Sequence, residues 1–345
     1  MKPRFVSIAV ATLLAGVSTH VLADGPVFYG DINMALTQSD KGLTTNPGMN
    51  DGLGLENNFT NVGIKGAYDI AAGLQILYKA EVGVNGEDQS KGADPFNSRN
   101  TYFGLGGNFG QVLFGRNDTV FKGSEGGVDA FGNLNADLDR LFVGQDRFGD
   151  SVTFNSNRYG IFQFGVTYLL EDDFRGSEEN AKMYDGNNYA VSVGFGDKAM
   201  AKQPYYVGLA YADGLNGLES ARVVVTYKLG DLKLGGLFQD SEKGDLSGQG
   251  YMVSAQYRLN DWNIKAQVGY DESGLGKFAK NAYDDAGEDM QQGSGAEVIN
   301  YTVGAEYHLT KAAYLYGHYA YYDASHDDAG DRDDNTFTIG MRYRF

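Results

Sequence analysis

Cysteine is absent from this chain of 345 residues, proline occurs only five times and tryptophan once. Without cysteine there is no disulfide framework, no thiolate metal site and no thiol nucleophile. The four histidines, at 20, 308, 318 and 326, are scattered, and no Gly-x-Ser-x-Gly motif accompanies them. Neither a zinc site nor a Ser-His-acid triad finds its constellation, so the chain reads as no enzyme, with no metal and no cofactor. Basic residues are also short, 28 Lys and Arg against 45 Asp and Glu, for a net charge of −17. That balance argues against nucleic acid as a partner. Downstream of residue 23, no apolar run approaches the ~20 residues that a membrane-spanning helix requires. Scarce proline leaves long sheet ladders intact, because each proline removes a backbone donor.

The N-terminus has the pattern of an exported protein. Lys2 and Arg4 precede an apolar run over residues 5–17, and Val21 and Ala23 stand at −3 and −1 of a small-residue cleavage site. Residues 1–23 therefore read as a secretory signal peptide, leaving a single mature domain over 24–345. Loss of the two leader cations moves the net charge from −17 to −19.

What the chain has in abundance is glycine (49) and tyrosine (24). Its last eleven residues alternate strictly. Phe337, Ile339, Met341, Tyr343 and Phe345 share one face, and Thr338, Gly340, Arg342 and Arg344 the other. Soluble strands average about 5–6 residues, whereas a transmembrane strand needs about 9–11 and puts apolar side chains toward lipid and polar ones toward a lumen. Similar segments begin near Val27, Glu56, Gly73, Arg99, Gln111, Ser151, Ile161 and Asn188, then near Tyr205, Ser220, Leu232, Gly250, Trp262, Val298, Ala313 and Asn335. The series predicts an all-β, antiparallel transmembrane β-barrel of sixteen strands, an even number of the kind bacterial barrels use. Tight connections such as 70–73, 106–109, 158–160, 230–231, 260–261 and 310–312 alternate with long ones, which places the two kinds at opposite rims. The connections 197–204 and 213–218 break that alternation.

Three long connections, 171–187, 271–296 and 323–334, hold eighteen acidic residues and five basic ones. They read as a solvated acidic rim able to reach lipopolysaccharide through divalent cations. Residues 331–342 do not complete a calcium loop, since Thr336 and Arg342 stand where Gly and Glu are needed. The longest stretch without alternation, 116–150, is too apolar for a disordered tail, with Phe121, Val128, Phe131, Leu134, Leu138, Leu141, Phe142 and Val143. Loops of more than about 12–15 residues are usually functional or disordered. This one has side chains suited to packing inside a barrel.

Val27-Phe28-Tyr29-Gly30, Val62-Gly63-Ile64-Lys65-Gly66, Tyr102-Phe103-Gly104-Leu105, Phe114-Gly115-Arg116-Asn117-Asp118 and the terminal Phe345 occur in order along the whole mature chain. In that order and spacing they resemble the general trimeric porins of the Gram-negative outer membrane. The resemblance implies a homotrimer whose third loop folds inward to narrow a water-filled channel for ions and small hydrophilic solutes. It also implies that Phe345 is a C-terminal assembly signal. The acidic side of the constriction would be Asp118, Glu125, Asp129, Asp137, Asp139 and Asp146 on the third loop.

Parity supplies part of the basic side. If Val62, Ile64 and Tyr68 face lipid, Lys65 faces inward; if Leu74, Ile76, Tyr78, Ala80 and Val82 do, Lys79 and Glu81 face inward. Arg99 matches the family's basic position at the start of the fourth strand. Arg116 is a further candidate, and so are Arg342 and Arg344. Asn61, Asn155 and Asp31 stand where the family often carries basic residues, so the ladder is thin and a weak cation preference is expected. The alternative is a sugar-selective channel of the same fold, with Tyr314, Tyr316 and Tyr322 as an aromatic slide.

Overall fold

The alternation of the sequence becomes the two faces of one closed sheet. In the computed structural model, which describes residues 25–45, 51–87, 94–170, 188–284, 296–327 and 329–345, every long strand is antiparallel to its neighbours. The strands are β1 (Val27–Ser39), β2 (Gly52–Asn57), β3 (Asn61–Ala71), β4 (Leu74–Val84), β5 (Phe96–Gly107), β6 (Gly110–Asp118), β7 (Arg147–Phe148), β8 (Ser151–Ser156) and β9 (Phe162–Leu169). They continue as β10 (Tyr189–Gly196), β11 (Tyr205–Leu215), β12 (Leu218–Leu229), β13 (Leu232–Lys243), β14 (Leu246–Leu259), β15 (Trp262–Asp271), β16 (Glu297–His308), β17 (Ala313–Ser325) and β18 (Arg332–Arg344). β2 and β3 both pair with β1 and form one interrupted stave, and β7 is a two-residue stub on β6. The ring therefore has sixteen staves, as the sequence predicts. The signal peptide and the acidic stretch 171–187 lie outside the described residues.

Closure joins the two ends of the chain. β1 and β18 pair from Asp31↔Arg344 to Ser39↔Thr336, and Gly30 and Phe345 exchange backbone bonds of 3.0 and 3.1 Å. On the lumen side Arg342 grips Asp31 at 2.7 Å, while Phe345 lies 5.8 Å from the rings of both Phe28 and Tyr343. A barrel sealed in this way leaves no strand edge to satisfy in lipid.

The outer face is apolar where the alternation requires it. Val253 on β14 is 61% exposed and Ile339 on β18 is 56% exposed, whereas inward neighbours such as Ser254 and Thr338 are buried. The connection 213–218 is shorter than its rim leads one to expect. β11 and β12 run on until only Asn216 and Gly217 join them, both at positive φ (57° and 71°), as in the tightest hairpins.

Two acidic stretches are more structured than the sequence reading allows. β17 and β18 extend into 323–334, leaving only 326–331 as connection. Within 271–296 lies a helix, α2 (Lys277–Asp284), which buries Phe278, Ala279, Ala282 and Tyr283 on one face. Charge density hid a helical i, i+1, i+4, i+5 pattern there.

Arginine in place of Val253, on the lipid face at mid-strand, should destabilise the barrel by about 2–4 kcal/mol. Val253→Leu should leave it unchanged. Equilibrium folding into lipid vesicles measures both, and equal stability of the two variants would show that this face does not meet lipid.

Candidate pore constriction

A barrel of sixteen staves is too wide for wall side chains to fill, and here the third long connection enters it. Residues 119–150 leave the end of β6, form the short helix α1 (Val120–Gly123) and a 3₁₀ turn at Leu138–Arg140, and return at β8. β6 continues to Asp118, so Arg116 and Asp118 belong to a stave and not to the loop as the sequence boundary had it. Phe121, Val128, Phe131, Leu138, Leu141 and Phe142 are all almost fully buried. Burying each such side chain contributes about 1.5–3 kcal/mol, against roughly 1 kcal/mol net for a typical hydrogen bond. Apolar packing therefore dominates the docking of this loop.

The wall receives the loop because it lacks side chains where the loop arrives. A Cβ on Gly250 would lie 2.3 Å from the Phe142 ring, and one on Gly269 would lie 2.3 Å from Leu141. Alanine at either position would force the facing loop side chain to move. Hydrogen bonds then fix its register. Gln267 accepts from the Ala130 amide at 3.2 Å and donates to the Ala136 carbonyl at 3.1 Å. Gln239 and the buried Arg222 both donate to the Val143 carbonyl, at 3.0 and 3.2 Å. At the loop tip Asn135 donates to Glu56 at 3.0 Å and accepts from Thr338 at 2.8 Å, while Tyr322 donates to its carbonyl at 3.2 Å. The roof is α2, where Lys277 pairs with Asp139 and Asn281 donates to the Leu43 carbonyl at 2.8 Å.

The loop thus lies along β9 to β18, with α1 packed against β9 and β10. In a ring of sixteen, β4 stands eight staves from β13, and β5 eight from β14. The side opposite the loop's bed is therefore the wall of β3, β4 and β5. On β3 and β4 the parity is as the sequence predicts, with Lys65 directly opposite Lys79 across the ladder. Lys79 and Arg99 both pair with Glu81, at 3.0 and 2.8 Å, and the Tyr29 hydroxyl donates to the same carboxylate at 2.8 Å. The Lys65 ammonium lies 4.8 Å from the centre of the Tyr29 ring. Arg116 stands on β6 opposite Thr101.

The predicted acids divide into groups. Asp118 pairs with Lys122 at 3.2 Å and Arg147 at 2.9 Å. Asp129 accepts the amides of Phe131 and Leu138, and Asp137 those of Asn133 and Asp139, so these two carboxylates shape the loop itself. Burial and repulsion from Asp137 push the Glu125 carboxyl up to about 7. Burial and the charge of Asp139 push Asp137 up to about 6, and burial with the Asp137 charge raises Asp129 as well. Burial also works against a charged Asp139, but Arg140 and Lys277 hold its carboxyl below the ordinary range. Asp146 is raised by burial in spite of Lys243.

Sequence reasoning missed the glycine bed, the Arg222 and Gln239 brackets and the α2 roof. Glycines inside strands are the signal that could have revealed the bed, since they mark the close approach of another backbone. The inward tyrosines are not an open slide. Tyr322 is buried beneath the loop, 4.7 Å from the Phe278 ring and stacked on it, and Tyr316 is buried and donates to Asn33 at 2.7 Å.

A family model described as Gram-negative porin matches residues 9–327. Outer membrane protein U of Vibrio cholerae is 26% identical over 262 residues, covering 68% of this chain and 73% of the relative. An outer membrane porin protein of Bordetella pertussis is 24% identical over 98% of this chain and 99% of its own length. Among solved structures, an anion-selective porin from Comamonas acidovorans superposes with a TM-score of 0.64 at 19% identity, covering 93% of this chain and 99% of that one. Salmonella typhi OmpF, in complex with daunomycin, gives a TM-score of 0.69 at 14% identity, covering 93% and 97%.

Deleting Phe131 to Leu138 removes the middle of the docked loop and should leave a folded barrel of larger, noisier single-channel conductance. Unchanged conductance in a planar bilayer would mean that the loop does not restrict the lumen.

Proposed function

The chain belongs to the Gram-negative porin family, outer-membrane β-barrels for passive diffusion, and within that family we propose a non-specific channel with a weak cation preference. It is read as a channel and not a catalyst, working as a homotrimer with one pore per subunit and passing ions and small hydrophilic solutes. The observation that carries this reading is the apolar docking of residues 119–150 on the wall of β9 to β18. It leaves the aperture between the loop and the wall that bears Lys65, Lys79 and Arg99, with Arg116 beside it.

In this reading the loop carboxylates Glu125, Asp129, Asp137, Asp139 and Asp146, with Asp118 at the end of β6, form the acidic side of a transverse field. The two sides differ in strength. Lys79 and Arg99 share Glu81, which neutralises part of the basic side. The acidic connections at the wide rim, assigned to the cell exterior by their length, add a negative potential that concentrates cations at low salt. They also offer carboxylates through which divalent cations would link the rim to lipopolysaccharide. Burial of Tyr316 and Tyr322 supports a general pore over the sugar-selective alternative. Phe345, set in the closing seam, is read as the assembly signal of the C-terminus.

The test is the reversal potential of the purified channel in a potassium chloride gradient, followed over pH. Glu125 and Asp137 titrate near 7 and 6, so both are charged at pH 8 and mostly neutral at pH 5. Cation preference should be largest at pH 8 and fall across that window, well above the range in which ordinary carboxylates titrate. Asp137→Asn should weaken the preference at pH 8, and Lys65→Ala or Arg99→Ala should strengthen it. A preference that stays constant from pH 8 to pH 5 would remove these carboxylates from the ion path.

A further inference from the structure

The second stave is broken once, and the break faces the pore. Between the pairs Met34↔Asn57 and Asp31↔Asn61, β1 supplies two residues, Ile32 and Asn33, while its partner supplies three, Asn58, Phe59 and Thr60. One extra residue makes a β-bulge, and it exchanges the faces of the strand beyond it. Leu53 and Leu55 face outward before the break and Ile64 and Tyr68 after it, while Glu56 and Asn61 are both buried inside. Side chains hold the bulge. Thr60 Oγ1 accepts from the Asn33 amide at 3.2 Å, and Asn57 Oδ1 accepts from the Thr60 amide at 2.9 Å.

The residue at the centre of the bulge is Phe59. The Arg99 guanidinium lies over its ring at 4.3 Å from the centroid, and the Arg342 guanidinium at 5.1 Å. The arginines come from staves two places to either side, β5 and β18, and are 243 residues apart in sequence. Each also has a carboxylate, Glu81 at 2.8 Å and Asp31 at 2.7 Å. Two attractions therefore act on each cation at once. The carboxylate draws it back to the wall and neutralises it, while the negative face of the ring draws it over the aromatic surface without neutralising it. Two guanidiniums left to themselves would repel each other, and the ring gives both a common partner.

We propose that Phe59 is a positioning residue for ion preference: the bulge turns its ring into the lumen, where it holds Arg99 and Arg342 as charges toward the permeating ions. This rests on the channel reading above and adds to it the element that keeps the basic wall active. It also explains why the strand is interrupted at this point, since an unbroken stave would put no extra aromatic residue between these two arginines.

The experiment is the potassium-to-chloride permeability ratio of purified variants in planar bilayers. Phe59→Ala should raise the ratio about twofold, the order expected from losing an exposed cation–π contact, because each guanidinium, still paired with Glu81 or Asp31, loses the ring that holds it toward the lumen. Phe59→Leu keeps most of the bulk without the aromatic face and should shift the ratio in the same direction, whereas Phe59→Tyr should behave as the parent. These two variants decide the matter even if the alanine variant fails to assemble. In an Arg99→Gln, Arg342→Gln background, Phe59→Leu should add no further shift, the non-additivity expected of residues that act through one another. A leucine variant like the parent, or a shift that persists in full without the arginines, overturns the proposal. If the double glutamine variant itself keeps the parental ratio, the role of the basic wall in ion preference falls too. If that variant shifts and Phe59→Leu does not, only the role of Phe59 falls.

Discussion

Everything distinctive inside this barrel depends on one packing contact, the apolar side of residues 119–150 against a wall cleared of side chains. A lumen is ordinarily a wet, polar surface, and a long loop left in it would lose more conformational entropy on ordering, about 1–2 kcal/mol per backbone residue, than scattered polar contacts return. The chain meets that cost by building a second hydrophobic core inside the pore. Phe131, Leu138, Leu141 and Phe142 come from the loop, Val224, Leu237, Met252 and Ala320 from the wall, and Phe278 and Tyr283 from α2. Glycines at 250 and 269 set the depth at which the loop can sit. Loop position and aperture width thus follow from the same residues.

Polar contacts have a different task in this arrangement. Hydrocarbon packing is nondirectional and would tolerate a loop shifted by a residue or two. The brackets at Gln267, Gln239 and Arg222 and the tip network of Asn135, Glu56, Thr338 and Tyr322 each require one carbonyl or amide at one place. A shifted loop would leave these buried groups unpaired, at about 1–3 kcal/mol apiece. Packing supplies the affinity, and the unpaired-group penalty supplies the register. The same logic operates at the closing seam, where Asp31 with Arg342 and Arg344 fixes the pairing of the first and last strands.

How much of this the sequence disclosed follows from what each pattern measures. Alternation reports two solvents on two faces, and it located the staves well, because lipid and water leave period-two signatures in every strand from Val27 to Phe345. Lys65 and Lys79 could be aimed by parity alone, without any knowledge of their partners, whereas Arg99 rests on the family resemblance and sits at a register shift of β5. What alternation cannot report is a third environment. Tyr316 and Tyr322 have the parity of lumen residues, yet both are buried, Tyr322 beneath the loop and α2 and Tyr316 against Asn33 and His318, because a core inside the pore obeys neither face rule. Charge counting failed for a related reason. The acids of 271–296 conceal a helix whose buried apolar face is only the four residues Phe278, Ala279, Ala282 and Tyr283.

The bulge at Phe59 shows where period-two reading has to break down. A register slip of one residue would turn a whole strand inside out, so an insertion survives only where both halves still present apolar residues to lipid. Leu53 and Leu55 on one side, with Ile64 and Tyr68 on the other, satisfy that condition with opposite parity. Two apolar runs out of phase, separated by a short polar segment, are consequently the sequence trace of a side chain deliberately turned inward. Asn57, Asn58 and Thr60 form that polar segment here, and Phe59 is the exception within it. A large aromatic residue amid turn-forming polar ones is hard to explain by lipid, since the flanking leucines and isoleucine already supply the outer band. It is readily explained by cations on the inside, and two arginines from distant parts of the chain converge on it.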